Sequence, residues 1–110
     1  MKTPIAFTVA MVAFASPHNG VAADAAANWN QHCAPCHGKD GKGDTTMGKK
    51  LGVKNYHDPK FQAAFSDAEM ERAIKEGVKT NGKETMKPFR NKLSDVDIKA
   101  LVTYIRSFKK

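Results

Sequence analysis

The segment Cys33-Ala34-Pro35-Cys36-His37 constrains this chain more than any other part of the sequence. Two thiols three residues apart on one helical turn point to the same side, and the histidine directly after them stays close. This C-x-x-C-H spacing is typical of covalent attachment of a c-type haem, with the histidine as a ligand of its iron. The motif therefore predicts that Cys33 and Cys36 hold one haem c and that His37 binds the iron.

Three other uses of two closely spaced cysteines compete with haem attachment: a disulfide, a thioredoxin-like redox pair and half of a zinc site. A zinc site needs about four ligands, and the sequence has no second cysteine pair. Thioredoxin-like chemistry is expected within a β-α-β pattern, and no such pattern follows the motif. The haem interpretation is therefore favoured over all three.

The N-terminus predicts export. Lys2 is followed by an apolar run over residues 5–15, and residues 21–23 (VAA) fit a small-x-small cleavage site. The apolar run is shorter than the roughly 20 residues that span a bilayer. We therefore expect a signal peptide over residues 1–23, cleaved after Ala23, and a periplasmic protein; an uncleaved membrane anchor is the alternative.

Removal of the leader would leave residues 24–110 as one small domain. A chain of this size buries a limited core and usually needs a further stabilising link, which a covalent haem would supply. Cofactor binding and folding should then be coupled.

The hydrophobic periodicity predicts an all-α domain with three main helices and long loops, and no segment shows sustained β alternation. A glycine-rich loop is expected over residues 38–44, an irregular stretch over 45–65 with Phe61 and Phe65 on one face of a short helix, and a polar loop over 78–92. The predicted helix signals are a cap at Asp24, capping boxes at Ser66–Glu69 and Ser94–Asp97, a stop at Gly77, and a hydrophobic staple between Leu93 and Ile98.

The ordered series of motifs over residues 29–106 resembles a small soluble class I c-type cytochrome with one haem. The residues that carry the resemblance are Trp29, Cys33, Cys36, His37, Gly38, Asp40, Gly41, Gly43, Ser66, Asp67, Glu69, Ile74, Gly77, Met86, Lys87, Pro88, Phe89, Leu93, Ser94, Asp95, Leu101, Tyr104, Ile105 and Arg106.

The resemblance implies a cytochrome c fold wrapped around one covalently bound haem. In that fold the first and last helices cross at an aromatic contact, so Trp29 would meet Tyr104 or a neighbour. A methionine loop covers the second haem face, and Met86, with Pro88 two residues later, matches its motif. The resemblance thus implies His37 and Met86 as the two iron ligands.

Other sixth ligands remain open. Met47 can line the haem rim, whereas Met70 is expected in the core. His32 is expected to point to solvent, and His57 lies in a loop of unknown position; an open site is the last alternative.

Many relatives also have a proline whose carbonyl accepts the second N–H of the axial histidine, and no proline lies between Cys36 and Pro59. A carbonyl in residues 44–53 is expected to replace it.

The positive charge is concentrated. The chain has a net charge of +7, and Lys2 is the only charged residue of the predicted leader. Residues 39–54 hold five lysines against two aspartates, and residues 83–92 hold four basic residues against one glutamate. These segments flank the two ligand motifs, so they should border the exposed haem edge and steer acidic redox partners into transient contact. The alternative is that these lysines form a generic solubilising surface. Neither nucleic-acid binding nor stable membrane insertion is expected, and the protein is expected to be a monomer.

The sequence therefore predicts a one-electron carrier and not an enzyme. The alternatives are a small haem peroxidase or gas sensor with a labile sixth ligand, and a haem subunit held permanently in a larger complex. Met86 argues against the first alternative, and the lysine-rich loops argue against the second.

Overall fold

The fold is described by a computed structural model, which covers residues 3–5 and 20–110. Most of the predicted leader lies outside these residues, so cleavage after Ala23 stays a prediction. Across residues 3–5 and 20–110, no helix is both long enough and apolar enough to cross a membrane.

Helices dominate the described chain, as expected for the all-α class. In chain order the elements are α1 (Gly20–Asn28), a π-helical segment (Trp29–Cys33), α2 (Ala34–His37), α3 (Thr46–Leu51), α4 (Pro59–Ala64), α5 (Asp67–Glu76), β1 (Val78–Thr80), β2 (Lys83–Met86) and α6 (Asp95–Arg106).

The first helix starts earlier than predicted. It begins at Gly20, so Asp24 lies within α1 and does not cap it. Alanine has the highest helix propensity, and the alanines on both sides of Asp24 carry the helix back through that position. The π-helical segment then joins α1 to the C-x-x-C-H turn.

Both predicted capping boxes are confirmed. Ser66 Oγ accepts the Glu69 N–H at 3.1 Å, and Glu69 Oε1 accepts the Ser66 N–H at 3.1 Å. The same exchange joins Ser94 to Asp97 at the start of α6. Since each box satisfies two backbone donors that a helix start leaves free, the beginnings of α5 and α6 are locally encoded.

The regions expected to be irregular contain more structure than predicted. Residues 45–65 form α3 and α4, which begin at side-chain caps from Thr45 and Asp58. Residues 78–86 form an antiparallel hairpin and not a polar loop. Its turn residues, Asn81 and Gly82, both have positive φ, and Asn-Gly is a strong hairpin signal. The all-α prediction therefore missed one small sheet.

The core lies where the two ends of the described chain meet. Helix α1 packs against α6, and α5 also packs against α6. Trp29 and Leu101 are the most deeply buried large side chains. The Trp29 ring lies 5.6 Å from Tyr104 and 5.1 Å from Phe108 between centroids, so the predicted aromatic contact with the last helix is confirmed.

Replacing Trp29 with alanine is expected to lower the free energy of unfolding of the haem-containing protein by about 3–5 kcal/mol. The substitution removes the largest buried ring and the hydrogen bond from Trp29 Nε1 to Gly38 O, 3.0 Å long. The measurement is chemical unfolding followed by circular dichroism. Val96→Ala on α6 is the control, because Val96 is 64% exposed and should change stability by less than about 0.5 kcal/mol. Similar losses in the two variants would contradict the assigned role of Trp29.

A polar cluster ties α4 and the start of α5 to α6. The buried Gln62 amide donates to Tyr56 O at 2.7 Å and to Ile105 O at 3.0 Å. The Arg106 guanidinium donates to Gln62 Oε1, Phe65 O and the Asp67 carboxylate. Buried polar groups require partners of this kind, so the cluster fixes the segment from Tyr56 to the start of α5 against α6.

Candidate haem site

The main cavity of the described chain brings the predicted site residues together. It has a volume of about 700 Å³, and Cys33, Cys36, His37 and Met86 all line it. Ligand cavities typically measure about 300–1,000 Å³ and have mainly apolar walls. This cavity meets both conditions, and the C-x-x-C-H motif and the hairpin both contribute to its lining.

The two cysteines are not joined in a disulfide. Both are free, with Cys33 buried and Cys36 partly buried. Burial, reinforced by the neighbouring Cys36, raises the pKa of the Cys33 thiol to about 12. Reactive C-x-x-C pairs of the thioredoxin type work through a lowered thiol pKa, so this environment opposes the redox-pair alternative.

The His37 imidazole lies between aromatic rings. The Tyr56 ring stacks on it with 5.1 Å between centroids and 21° between planes, and the Trp29 ring lies 5.7 Å away. Burial lowers the pKa of His37, which favours the neutral imidazole that binds metals.

The second nitrogen of His37 does not meet the expected carbonyl. Its Nδ1 atom is buried without a hydrogen-bond partner among the described residues, so the predicted acceptor within residues 44–53 is wrong for this structure. That segment instead contacts the preceding peptide, because Thr45 Oγ1 donates to Cys36 O at 2.6 Å. Haem bound through the other ring nitrogen would not supply this partner. The fit to a covalent haem comes instead from the donor set, because two free thiols and the His37 imidazole line one mainly apolar cavity.

Hydrogen bonds also fix the C-terminal end of the motif. Trp29 Nε1 donates to Gly38 O, and the Gly43 N–H donates to His37 O at 2.8 Å. The glycine-rich loop was predicted over these residues, and it folds back on the motif. The position of His37 is thus determined by Trp29 on one side and by the loop on the other.

Three methionines line the cavity. Met86 ends strand β2 and is partly buried, Met47 is 45% exposed on α3, and Met70 is 6% exposed in the core. Burial of Met70 confirms its predicted place in the core, and the position of Met47 agrees with the predicted rim. Assignment of Met86 as the ligand therefore continues to rest on the resemblance.

The two other histidines of the described residues, His32 and His57, differ in position. His32 does not simply point to solvent as predicted: it is partly buried, lines the cavity and packs edge-on against Phe89 at 5.6 Å. The Nε2 atom of His57 lies 2.5 Å from Asp40 O, and the His57 ring packs near Phe108. His57 therefore belongs to a loop contact, while His32 is part of the cavity wall.

Three site residues were missed by the sequence reasoning. Tyr56 stacks on His37, Thr45 binds the Cys36 carbonyl, and Gln62 holds the Tyr56 carbonyl. Thr45 was detectable, since threonine is a favoured helix N-cap residue. Tyr56 and Gln62 had no local signal, because their roles depend on contacts with residues distant in sequence.

Two basic residues of the predicted basic segments line the cavity. Lys54 and Lys87 are exposed and line its edge. Elsewhere in these segments, Lys49 pairs with Asp44 at 3.0 Å and Arg90 lies 3.7 Å from Glu76. Exposed pairs of this kind stabilise little, and only Glu76 adds a negative charge beyond those already counted in the two segments.

Solved structures with this arrangement are c-type cytochromes. The chain is similar to KustC0563 c-type cytochrome, with 40% sequence identity, a TM-score of 0.71, and coverage of 78% of this chain and 98% of that one. It is equally similar in sequence to a tyrosine-to-phenylalanine mutant of Kustc0563, with 40% identity, a TM-score of 0.69 and coverage of 78% and 99%. No match was found among curated proteins.

The fold and the site define a small monohaem c-type cytochrome of class I. Residues 20–105 match the family described as cytochrome c oxidase, cbb3-type, subunit III, and the chain belongs to that family of cytochrome c domains. Its cofactor is haem c, an iron porphyrin attached covalently, and Cys33 and Cys36 have the required spacing. Its chemistry is haem-based electron transfer, and members of such families are typically electron carriers and are often exported.

Proposed function

We propose that this protein is a diffusible periplasmic one-electron carrier and not an enzyme, with a haem that His37 and Met86 ligate. The observation that carries the proposal is the shared cavity: the C-x-x-C-H motif and Met86 both line it. When bound, the haem supplies a reversible ferrous–ferric couple. A methionine ligand raises the potential of that couple.

The chain's own residues have separate tasks in this proposal. Cys33 and Cys36 provide the thioether links, and Trp29 and Tyr56 hold the imidazole plane of His37. The apolar side chains of α5 and α6 that line the cavity, including Met70, Ile74 and Ile105, exclude water. Fixed surroundings of this kind keep the geometry similar in both oxidation states, which favours fast electron exchange.

One optical experiment tests the proposal. The absorption spectrum of the haem-containing protein is recorded in the oxidised and the reduced states. The oxidised form should show a weak far-red band from methionine sulfur on ferric iron. Carbon monoxide should bind the reduced form slowly. Rapid carbon monoxide binding without a far-red band would favour the alternative of a gas sensor or a peroxidase.

Acidic redox proteins are the proposed partners, docking transiently where Lys54 and Lys87 border the cavity. Reversing both lysines to glutamate should slow electron transfer from an acidic partner, with the difference from wild type disappearing as ionic strength rises. Stopped-flow kinetics over a salt series measures the effect. Reversal of Lys109 and Lys110, which makes the same change of charge at the chain end, is the matched control. Equal slowing in both variants would contradict a local docking face.

A second candidate follows from the family description: a haem subunit of a terminal oxidase. Size-exclusion chromatography of extracts from the native source, followed by haem staining, separates the two functions. Migration as a free species of the size of one mature chain supports the carrier. Elution with a large membrane complex that survives detergent and salt supports the subunit.

A further inference from the structure

Gly77, at the end of α5, approaches the backbone of the methionine segment closely. A Cβ atom built on Gly77 would lie 2.6 Å from Met86 O, 2.9 Å from Pro88 N and 3.2 Å from Lys87 C. Real Cβ atoms essentially never come within 3.0 Å of backbone atoms. The backbone of Gly77 is also in a region that only glycine populates readily, with φ 79° and ψ −179°. Any other residue would therefore push the methionine segment away from α5.

Other contacts attach the same segment to the end of α5. The Phe89 N–H donates to Ile74 O at 2.9 Å, and Val78 pairs with Met86 across the hairpin. Between Val78 and Lys79 the register shifts, so Thr85 is an extra residue in β2 directly before Met86. A bulge of this kind redirects the neighbouring side chain. The backbone around Met86 is thus held on one side by the pairing with Val78 and on the other by the Phe89–Ile74 hydrogen bond. The close approach of Gly77 lies between these two contacts.

We propose that Gly77 is a positioning residue for Met86: the missing side chain sets how near the methionine segment lies to α5, and hence where the Met86 thioether enters the cavity. The proposal rests on the proposed function, in which Met86 binds the iron. The packing of two backbones transmits the effect, without any contact between Gly77 and the haem.

Gly77→Ala in the haem-containing protein tests the proposal. The haem should stay attached, while the far-red band weakens and the reduction potential falls. Cyanide should bind the ferric form about tenfold faster, which corresponds to an activation free energy lower by about 1.4 kcal/mol. Gly82→Ala is the control in the same hairpin. Gly82 also has positive φ, at 77°, but a Cβ there would meet nothing within 4 Å. It should lose stability without changing the band, the potential or cyanide binding.

Two results would overturn the proposal: an unchanged band, potential and cyanide rate in Gly77→Ala, or the same changes in Gly82→Ala. A second measurement covers the case in which Gly77→Ala folds poorly: the far-red band is recorded on the haem-containing fraction that keeps wild-type helix content by circular dichroism. A weakened band is expected in that fraction too, and an unchanged band there would refute the proposal. Met86→Ala separates this proposal from the proposed function: a far-red band that survives there refutes Met86 ligation itself.

Discussion

Replacing Cys33 and Cys36 together with alanine is expected to abolish stable haem retention and to leave the chain largely unfolded. Both thiols line a cavity of about 700 Å³ that reaches into the core. Without haem, the apolar walls of this cavity are left in contact with water, which removes the hydrophobic burial that holds the helices together. The whole stability of a small domain is only about 5–15 kcal/mol, so this loss is expected to unfold most of the chain.

Far-UV circular dichroism and haem staining of the denatured protein measure the two effects of the cysteine substitutions. Thr103→Ala combined with Ser107→Ala is the matched control, because both positions are exposed on or directly after α6. That variant should keep its haem and its helix content. Wild-type helicity in the haem-free double cysteine variant would show that folding does not depend on the cofactor.

Met86→Ala is expected to leave the haem attached and to remove its sixth ligand. The reduction potential should fall by on the order of 0.1 V or more, since axial ligands set haem potentials over a range of about 0.8 V. Carbon monoxide should then bind the reduced protein faster, because methionine no longer competes for the iron. Voltammetry and flash photolysis measure the two effects, and the far-red band should disappear.

Met47→Ala is the matched control for Met86→Ala. Met47 also lines the cavity but is 45% exposed on α3, so its loss should leave the band in place and change the potential little. A band that survives in Met86→Ala and disappears in Met47→Ala would transfer the ligand assignment to Met47. The same pattern with Met70→Ala would transfer it to Met70.

Local signals explain which parts of the fold were predictable. Ser66 with Glu69 and Ser94 with Asp97 define helix starts through bonds within one turn, and both predictions are confirmed. The Asp24 cap was wrong because the prediction started the domain at the cleavage site, whereas α1 continues back to Gly20. The hairpin was missed because its strands are only three and four residues long, too short to show alternation.

The site residues likewise divide into those that a local signal could predict and those that depend on the fold. Cys33, Cys36 and His37 are adjacent in sequence, so one motif was enough to predict that they act together. Tyr56 lies 19 residues beyond His37 and reaches it only through the fold. The expected carbonyl partner of His37 Nδ1 was wrong for a related reason, because Thr45 directs that segment toward the Cys36 carbonyl.

The packing of α1 against α6 has a consequence for the order in which the chain acquires its structure. These helices stand at opposite ends of the described chain, and Trp29, directly after α1, packs against Tyr104 of α6. Contacts between segments so distant in sequence require closure of a long loop, which slows folding. A ribosome-bound chain lacking α6 cannot bury Trp29 against Tyr104 and Phe108. The packing around the C-x-x-C-H segment is therefore incomplete until α6 docks, and we expect the segment to stay accessible for haem attachment during that interval.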